Sequence, residues 1–387
     1  MQQPKHILPT IVLAQFCCTS LWFASNGVIG ELAANFQLGN SALGNLTSAV
    51  QFGFISGTLI FALLTITDRF SPSKVFFVSA LLGALFNFSM LWPHNSLTSL
   101  LIFRHFTGFF LAGIYPVGMK IAADYFDKGL GKSLGFLVGA LVVGTAFPHL
   151  LKGWGETVAW ESVIKTTSGL AVFGGLSLFL FVPNGPFRKP SQKVDLKAFF
   201  TVFRQTDFRA AAFGYFGHMW ELYTFWAFVP ILLATYADLH QAKVSIAIWS
   251  FVIIALGGPA CVLGGYISQK MGVRNTAGTA LFLSGCCCLL VPVAFLLPYP
   301  SLFLLFLCFW GMVVIADSPL FSTLVAQNAE PQLKGTALTI VNCIGFAITI
   351  VSIQFIAYLQ TLTTSNGLYL LLAIGPLFGL INLFTKR

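Results

Sequence analysis

The chain has 387 residues, of which 57% are hydrophobic and only 9% charged, with 41 phenylalanines and a mean hydropathy of +0.84. Soluble domains carry about 25% charged residues, so this composition excludes a soluble enzyme or a soluble domain on a single anchor. The net charge of +9 would suggest nucleic acid in a soluble protein, but here its placement along the chain decides its meaning.

Apolar runs recur from end to end, each long enough to cross about 30 Å of hydrocarbon as a helix. They are too long and too uniformly apolar for barrel strands. Twelve spans are predicted, at 7–32, 42–66, 75–94, 98–123, 133–152, 162–183, 209–236, 243–267, 275–298, 301–326, 335–358 and 366–384. With the N-terminus inside, sixteen lysines and arginines fall on the inner side and only Lys152, Lys165 and Lys243 on the outer side. That is a positive-inside bias with both termini cytoplasmic. The basicity is topological and gives no reason to invoke nucleic acid.

The first span begins after a short basic lead, as a signal peptide would. It runs too long, contains Gln15 and Asn26, and lacks a small-x-small cleavage site, so it reads as a retained helix. All eight cysteines fall inside spans, which argues against a disulfide framework on the loops. Cys286, Cys287 and Cys288 point about 100° apart on a helix and cannot converge on one metal ion, so no metal or other cofactor is expected.

Residues 184–208 form the one long internal break, dividing the chain into a bundle at 1–183, a cytoplasmic linker and a bundle at 209–387. Within the linker Leu196, Phe199, Phe200 and Phe203 recur at i, i+3, i+4 and i+7, the pattern of a short helix on the inner membrane surface. A disordered linker is the competing reading for 184–193.

The halves repeat. Asp68-Arg69 after the second span aligns with Gln269-Lys270 after the eighth at an offset of 201, Pro116 with Pro319 at 203, and Gly131 with Gly335 at 204. Both repeats start inside, so their axis lies along the membrane normal. "DKGLGKS" at 127–133 ends like a phosphate-binding loop, but Phe126 stands where the first glycine belongs and no strand precedes it. No zinc-ligand spacing or nucleophile elbow occurs either, and the chain is not read as an enzyme.

Twelve helices in a six-plus-six duplication with a basic middle loop resemble the major facilitator superfamily. That family's signature after the second span is G-x-x-x-D-R-x-G-R-R. Gly265, Gly272, Lys270 and Arg274 match it in the second copy, and Asp68 and Arg69 in the first, where Leu64 and Ser71 replace the glycines. Arg104-x-x-x-Gly108 resembles the family's fourth-span motif, and Gly135-x8-Gly144-x3-Pro148 part of its antiporter motif. The resemblance covers essentially the whole chain. It implies an all-α membrane fold of two pseudo-symmetric six-helix bundles, with Asp68, Arg69, Lys270 and Arg274 at the cytoplasmic gate. Simple topology control by positive charge is the alternative for Asp68, Arg69 and Lys74.

Ionisable residues inside spans cost a few kcal/mol or more and are functional candidates by default. Glu221 lies twelve residues into the seventh span from Arg209, about 18 Å deep and near the midplane. His218 is one turn shallower on the same face. Two readings stand for this pair: a proton-coupling site, or a structural pair in which His218 satisfies Glu221. Asp317, just before Pro319 in the tenth span, is a third candidate. Arg104 would either bind an anionic solute or pair with Glu31. Lys120 would form an i, i+4 ion pair with Asp124 or else touch substrate. Asn26 and Gln51 would contact substrate or only bridge helices. Tyr115, with Trp22, Trp220, Tyr223 and Trp226, would line an aromatic site or pack against lipid.

These residues and the resemblance imply a monomeric, multi-pass transporter of a bacterial inner membrane. It would move a small polar or anionic organic solute by alternating access, with protons as coupling partner and Glu221, His218 and Asp317 as carriers. A drug/proton antiporter, a uniporter and a non-transporting receptor or scaffold are the alternatives.

Overall fold

The computed structural model describes residues 5–126, 130–155, 158–188, 199–330 and 332–385, with side chains undescribed at 130–132 and at 199 and 200. Among them every regular element is helical. Eleven helices are long and apolar enough to cross a membrane, and Ile7–Thr19 is a shorter apolar helix. The residues 127–129 of the rejected phosphate loop lie outside the described residues, as does Leu196 of the linker stripe. Of that stripe a short helix, Phe199–Val202, is described. After it Phe203 packs its ring against Phe208, Phe213 and Phe216 of the seventh span, with centroids 5.3, 6.4 and 6.4 Å away.

The chain divides into two units, Met1–Lys193 and Val194–Arg387. In the first, the second span is Ala42–Leu63, the third Pro72–Phe88 and the sixth Trp160–Phe181. The fifth is Leu130–Gly153. In the second, the seventh is Thr206–His240, the ninth Val273–Ala294, and the eleventh Lys334–Leu362. The twelfth combines a 3-10 segment, Asn366–Ala373, with Ile374–Phe384. The eighth runs as Ile246–Ala255 and Gly257–Met271.

Besides the eighth, which is parted at Leu256, three spans break where the sequence suggests continuous helices. The first stops at Thr19 and resumes through Asn26–Val28 and Ile29–Asn35. Its hydroxyls compete for backbone: Thr19 Oγ1 donates to Gln15 O at 2.8 Å and Ser20 Oγ to Cys17 O at 2.7 Å. Such back-bonding bends helices. The following amides bond three residues back, Trp22 N to Thr19 O at 2.9 Å, which winds the segment tighter and frees carbonyls. The fourth span breaks between Leu97–Leu111 and Tyr115–Tyr125, and the tenth between Pro300–Ala316 and Ser318–Asn328. In both, a proline (Pro116, Pro319) follows one residue into the new helix. There its missing N–H costs nothing, and its fixed φ suits a helix start.

The repeat is visible in packing as well as order. The first span packs on the fifth and sixth as the seventh packs on the eleventh and twelfth, and the second meets the fourth as the eighth meets the tenth. The closest approaches coincide. A Cβ on Gly108 would lie 2.0 Å from Val50 O, and one on Gly311 2.1 Å from Ile253 O; both pairs are related by an offset of 203. Small residues at these crossings let backbones touch, which is how helices gain packing energy where no hydrophobic force acts between them. The motif glycine Gly272 has φ +82°, whereas Ser71 at the first repeat's equivalent turn has φ −60°. That difference explains why the first copy does without glycine there.

These crossings generate a stability prediction. Gly108→Ala and Gly311→Ala each force a methyl onto a carbonyl and should lower stability by about 1–3 kcal/mol, read as a reduced melting temperature in detergent. Gly135→Ala meets nothing within 4 Å and should be neutral or slightly stabilising.

Candidate functional site

Each unit carries its own buried polar cluster. In the first unit the cluster forms around the break of the first span. Arg104, fully buried on the fourth span, donates from Nη1 to Leu21 O at 3.0 Å and to Asn87 Oδ1 at 3.2 Å, and from Nη2 to Trp22 O. Its Nε has no hydrogen-bond partner among the described residues. Asn87 on the third span donates in turn to Ser168 Oγ at 2.9 Å and Thr167 Oγ1 at 3.2 Å on the sixth. The guanidinium thus supplies the donors that the tightened backbone has lost. Arg104 does not pair with Glu31. Glu31 lies beyond the break and takes Lys152 Nζ at 2.6 Å.

Asn26 donates to Thr47 Oγ1 at 2.8 Å, and Gln51 Oε1 accepts from Trp22 Nε1 at 3.2 Å. Both amides bridge the first and second spans. Gln51 Nε2 and both polar atoms of Gln15 are buried with no partner among the described residues. Tyr115 is half-buried at the start of the second segment of the fourth span.

In the second unit the seventh span presents Glu221 and His218 to the tenth, and neither residue uses the other. Glu221 Oε1 accepts from Trp310 Nε1 at 2.5 Å and Oε2 from Ser284 Oγ on the ninth span at 2.9 Å. His218 Nδ1 sits 2.8 Å from Asp317 Oδ1. Glu221 and Asp317 are fully buried and His218 is 1% exposed; His218 Nε2 has no partner among the described residues. The expectation that His218 satisfies Glu221 is therefore corrected. Asp317 stands at the break of the tenth span, as the last residue of one helix and the cap of the next, where its carboxyl is free to meet the imidazole.

The geometry has a consequence for the tenth span. One helix grips it at two points: Trp310, in the segment before the break, and Asp317, at the break itself. A proton on Asp317 would change the grip at the break, whereas the Trp310 grip survives a proton on Glu221. Trp310 can only donate, so Oε1 of Glu221 accepts in either protonation state. Ser284 Oγ has a second acceptor in Leu281 O at 3.1 Å, so its hydroxyl can turn away and accept from a protonated Oε2.

At the helix ends, Asp68 pairs with Lys120 Nζ at 2.5 Å, and this is the ion pair of Lys120 in place of one with Asp124. Arg188 Nη2 donates to the carbonyls of Thr67, Asp68 and Phe70 at 3.2, 3.2 and 2.9 Å, which pins the turn carrying Asp68. Arg69 and Lys270 are exposed. Arg274 donates through Nε to Leu383 O at 3.0 Å.

The sequence reading missed Trp310, Ser284 and Asn87. Trp310 is one of eight tryptophans and Ser284 stands in a run of small residues; neither has a spacing that marks it. A signal did exist for Asn87, a lone amide well inside the third span.

The comparisons with known proteins follow from this architecture. The sequence description of the Major Facilitator Superfamily matches residues 11–353. The MFS-type transporter YfhI of Bacillus subtilis (strain 168) is 24% identical over 343 residues, covering 84% of this chain and 80% of YfhI. The transporter YgaY of Escherichia coli (strain K12) is 30% identical over 189 residues, 46% of this chain and 47% of YgaY. Among solved structures, the proton:xylose symporter XylE superposes with a TM-score of 0.74 at 13% identity over 97% of this chain and 94% of XylE. The nucleoside transporter NupG gives 0.73 at 13% identity over 98% of both chains. The chain is a multi-pass membrane protein and belongs to the major facilitator superfamily of transporters.

Proposed function

We propose that the protein is a proton-coupled secondary transporter moving a small polar or anionic organic solute by alternating access. The observation that carries this reading is the double grip of the seventh span on the broken tenth span, Glu221 to Trp310 and His218 to Asp317. Stability alone does not call for two buried carboxyls, since apolar residues of similar volume would pack as well or better. A proton exchanged at either site gives them a reason to exist.

The energies are of a suitable size. Removing one partner of a buried ion pair costs about 3–5 kcal/mol. Driving a two-state equilibrium from 1:99 to 99:1 takes about 5.5 kcal/mol. A proton on Asp317 would bias the tenth span's hinge by up to that order when His218 is charged, while Glu221, whose partners are neutral, would contribute less. The solute adds its own preference for one conformation.

Arg104 is largely committed to the backbone carbonyls of the first span, with only Nε left over. That favours a polar solute over a strongly anionic one. The unpartnered donors and acceptors of Gln15 and Gln51 support the same preference. XylE and NupG, named for xylose and nucleosides, agree with a hydroxyl-bearing solute, although their 13% identity carries the fold alone. Asn26 and Tyr115 complete the proposed solute contacts on the first unit, and Asp68, Arg69, Lys270 and Arg274 the proposed cytoplasmic gate. The sixteen-to-three bias in basic residues supports cytoplasmic termini.

Two measurements test these assignments. Solutes chosen by thermal stabilisation (pentoses, nucleosides, small carboxylates) are added to proteoliposomes carrying an internal pH dye. The wild type should show solute-dependent proton movement, while Glu221→Gln and Asp317→Asn should bind solute but lose at least about tenfold in proton-driven accumulation. Unchanged pH dependence in Glu221→Gln removes Glu221 from the carrier role. Flux without any proton movement in the wild type indicates a uniporter. For the gate, Asp68→Asn and Lys120→Ala should each slow transport, and the exchange Asp68→Lys with Lys120→Asp should restore part of it. No recovery in the exchanged protein means that the pair is not what matters at that turn.

A further inference from the structure

A cavity of about 260 Å³ opens in the second unit where the starts of the seventh and ninth spans meet the end of the twelfth. Asp207, Arg209, Arg274 and Asn382 line it together with Phe213 and Ile381. These residues come from three stretches far apart in sequence. The positive-inside rule asks only for cations in water near a helix end; it does not ask two arginines from different helices to share one cavity. The side chain of Arg209 has no ion-pair or hydrogen-bond partner among the described residues, nor has that of Asp207. Arg274 spends Nε and Nη2 on Leu383 O and lies over the Phe384 ring, which fixes the guanidinium plane and leaves Nη1.

One wall of the cavity is apolar and continues onto membrane-facing surface. Ile381, Phe378 and Phe384 are 52%, 44% and 50% exposed, as side chains in contact with acyl chains would be. A site with two cations, an apolar flank and a place at a span end suits an anion that carries hydrocarbon. The carboxylate of Asp207 adds selectivity. It would repel a bare phosphate, but it would accept hydrogen bonds from a headgroup bearing hydroxyl or ammonium donors.

We propose that this cavity binds the headgroup of a phospholipid. The phosphodiester lies between Arg209 and Arg274, headgroup donors reach Asp207, and the acyl chains lie along Phe213 and Ile381. Basic recesses between spans on the cytoplasmic side have the electrostatics for such binding, and arginine suits phosphate through its fork of donors.

The test uses the full-length protein in detergent micelles, with native mass spectrometry counting bound lipid and melting temperature as a second readout. The probes are phosphatidylglycerol, phosphatidylethanolamine, phosphatidylcholine and inorganic phosphate. The first two should bind and stabilise, phosphatidylcholine, whose headgroup has no N–H or O–H donor, should do so more weakly, and inorganic phosphate should do nothing. Arg209→Gln should weaken binding about fivefold, and Asp207→Asn should narrow the gap between phosphatidylglycerol and phosphatidylcholine. Equal binding in Arg209→Gln, or an unchanged gap in Asp207→Asn, overturns the site as described. Full stabilisation by inorganic phosphate alone would make it a site for a soluble anion and overturn the lipid assignment.

Discussion

Hydrocarbon offers no hydrogen bonds, so every backbone amide and carbonyl inside a membrane must find a partner within the protein. Unbroken helices meet that demand by themselves. This chain interrupts its first, fourth, eighth and tenth spans, and the first, fourth and tenth show how the demand is then met. At the first span it is met by Arg104, whose guanidinium caps Leu21 O and Trp22 O. At the fourth and tenth the proline one residue into the next helix removes a donor that would otherwise be orphaned. A charged group deep in a span therefore need not signal a ligand, because a break in a helix is itself a place where charge is useful. Arg104 is explained almost completely on these terms.

Asp317 is not. Its counterpart at the offset of 203 is Ile114, and the fourth span breaks there without any ionisable side chain. The break therefore does not require a carboxylate. Comparing the two repeats works as an internal control: what both halves share belongs to the fold, and what one half adds needs another explanation. Gly108 and Gly311 pass as fold. Glu221, opposite Ser20 at an offset of 201, falls with Asp317 among the additions, and the two additions meet the same helix.

The spans and the duplication were legible in the sequence, because they rest on run lengths and offsets that a linear text preserves. The partners of the candidates were not. His218 and Glu221 share a helix face, and proximity along that face suggested a pair. What decides pairing is the rotation and crossing of the tenth and ninth spans, and that brings Trp310, Ser284 and Asp317 within reach instead. Lys120 gives the same lesson. Asp124, one turn away, was the local choice, but the turn after the second span, held by Arg188, delivers Asp68. The breaks at 20–25 and 112–114 were hidden because apolar composition continues through them, while back-bonding by Thr19 and Ser20 depends on rotamers.

The two carboxyls differ in how they can hold a proton, because their partners differ. Glu221 keeps its Trp310 bond whether charged or neutral, and Ser284 can reverse its role beside it; a proton there changes charge with little loss of contact. Asp317 meets His218 Nδ1 at 2.8 Å, a contact that is ionic only when the imidazole is protonated, so a proton on the carboxyl leaves at most a neutral hydrogen bond there. Under the proposed function Glu221 would take a proton with its contacts kept, and Asp317 would lose the ionic part of its contact on taking one. A transporter needs both properties, storage without movement and movement on command. His218 and Glu221 stand three residues apart on the seventh span and meet the tenth at its break and in the segment before it, so the proposed proton coupling would act through both contacts on one hinged partner.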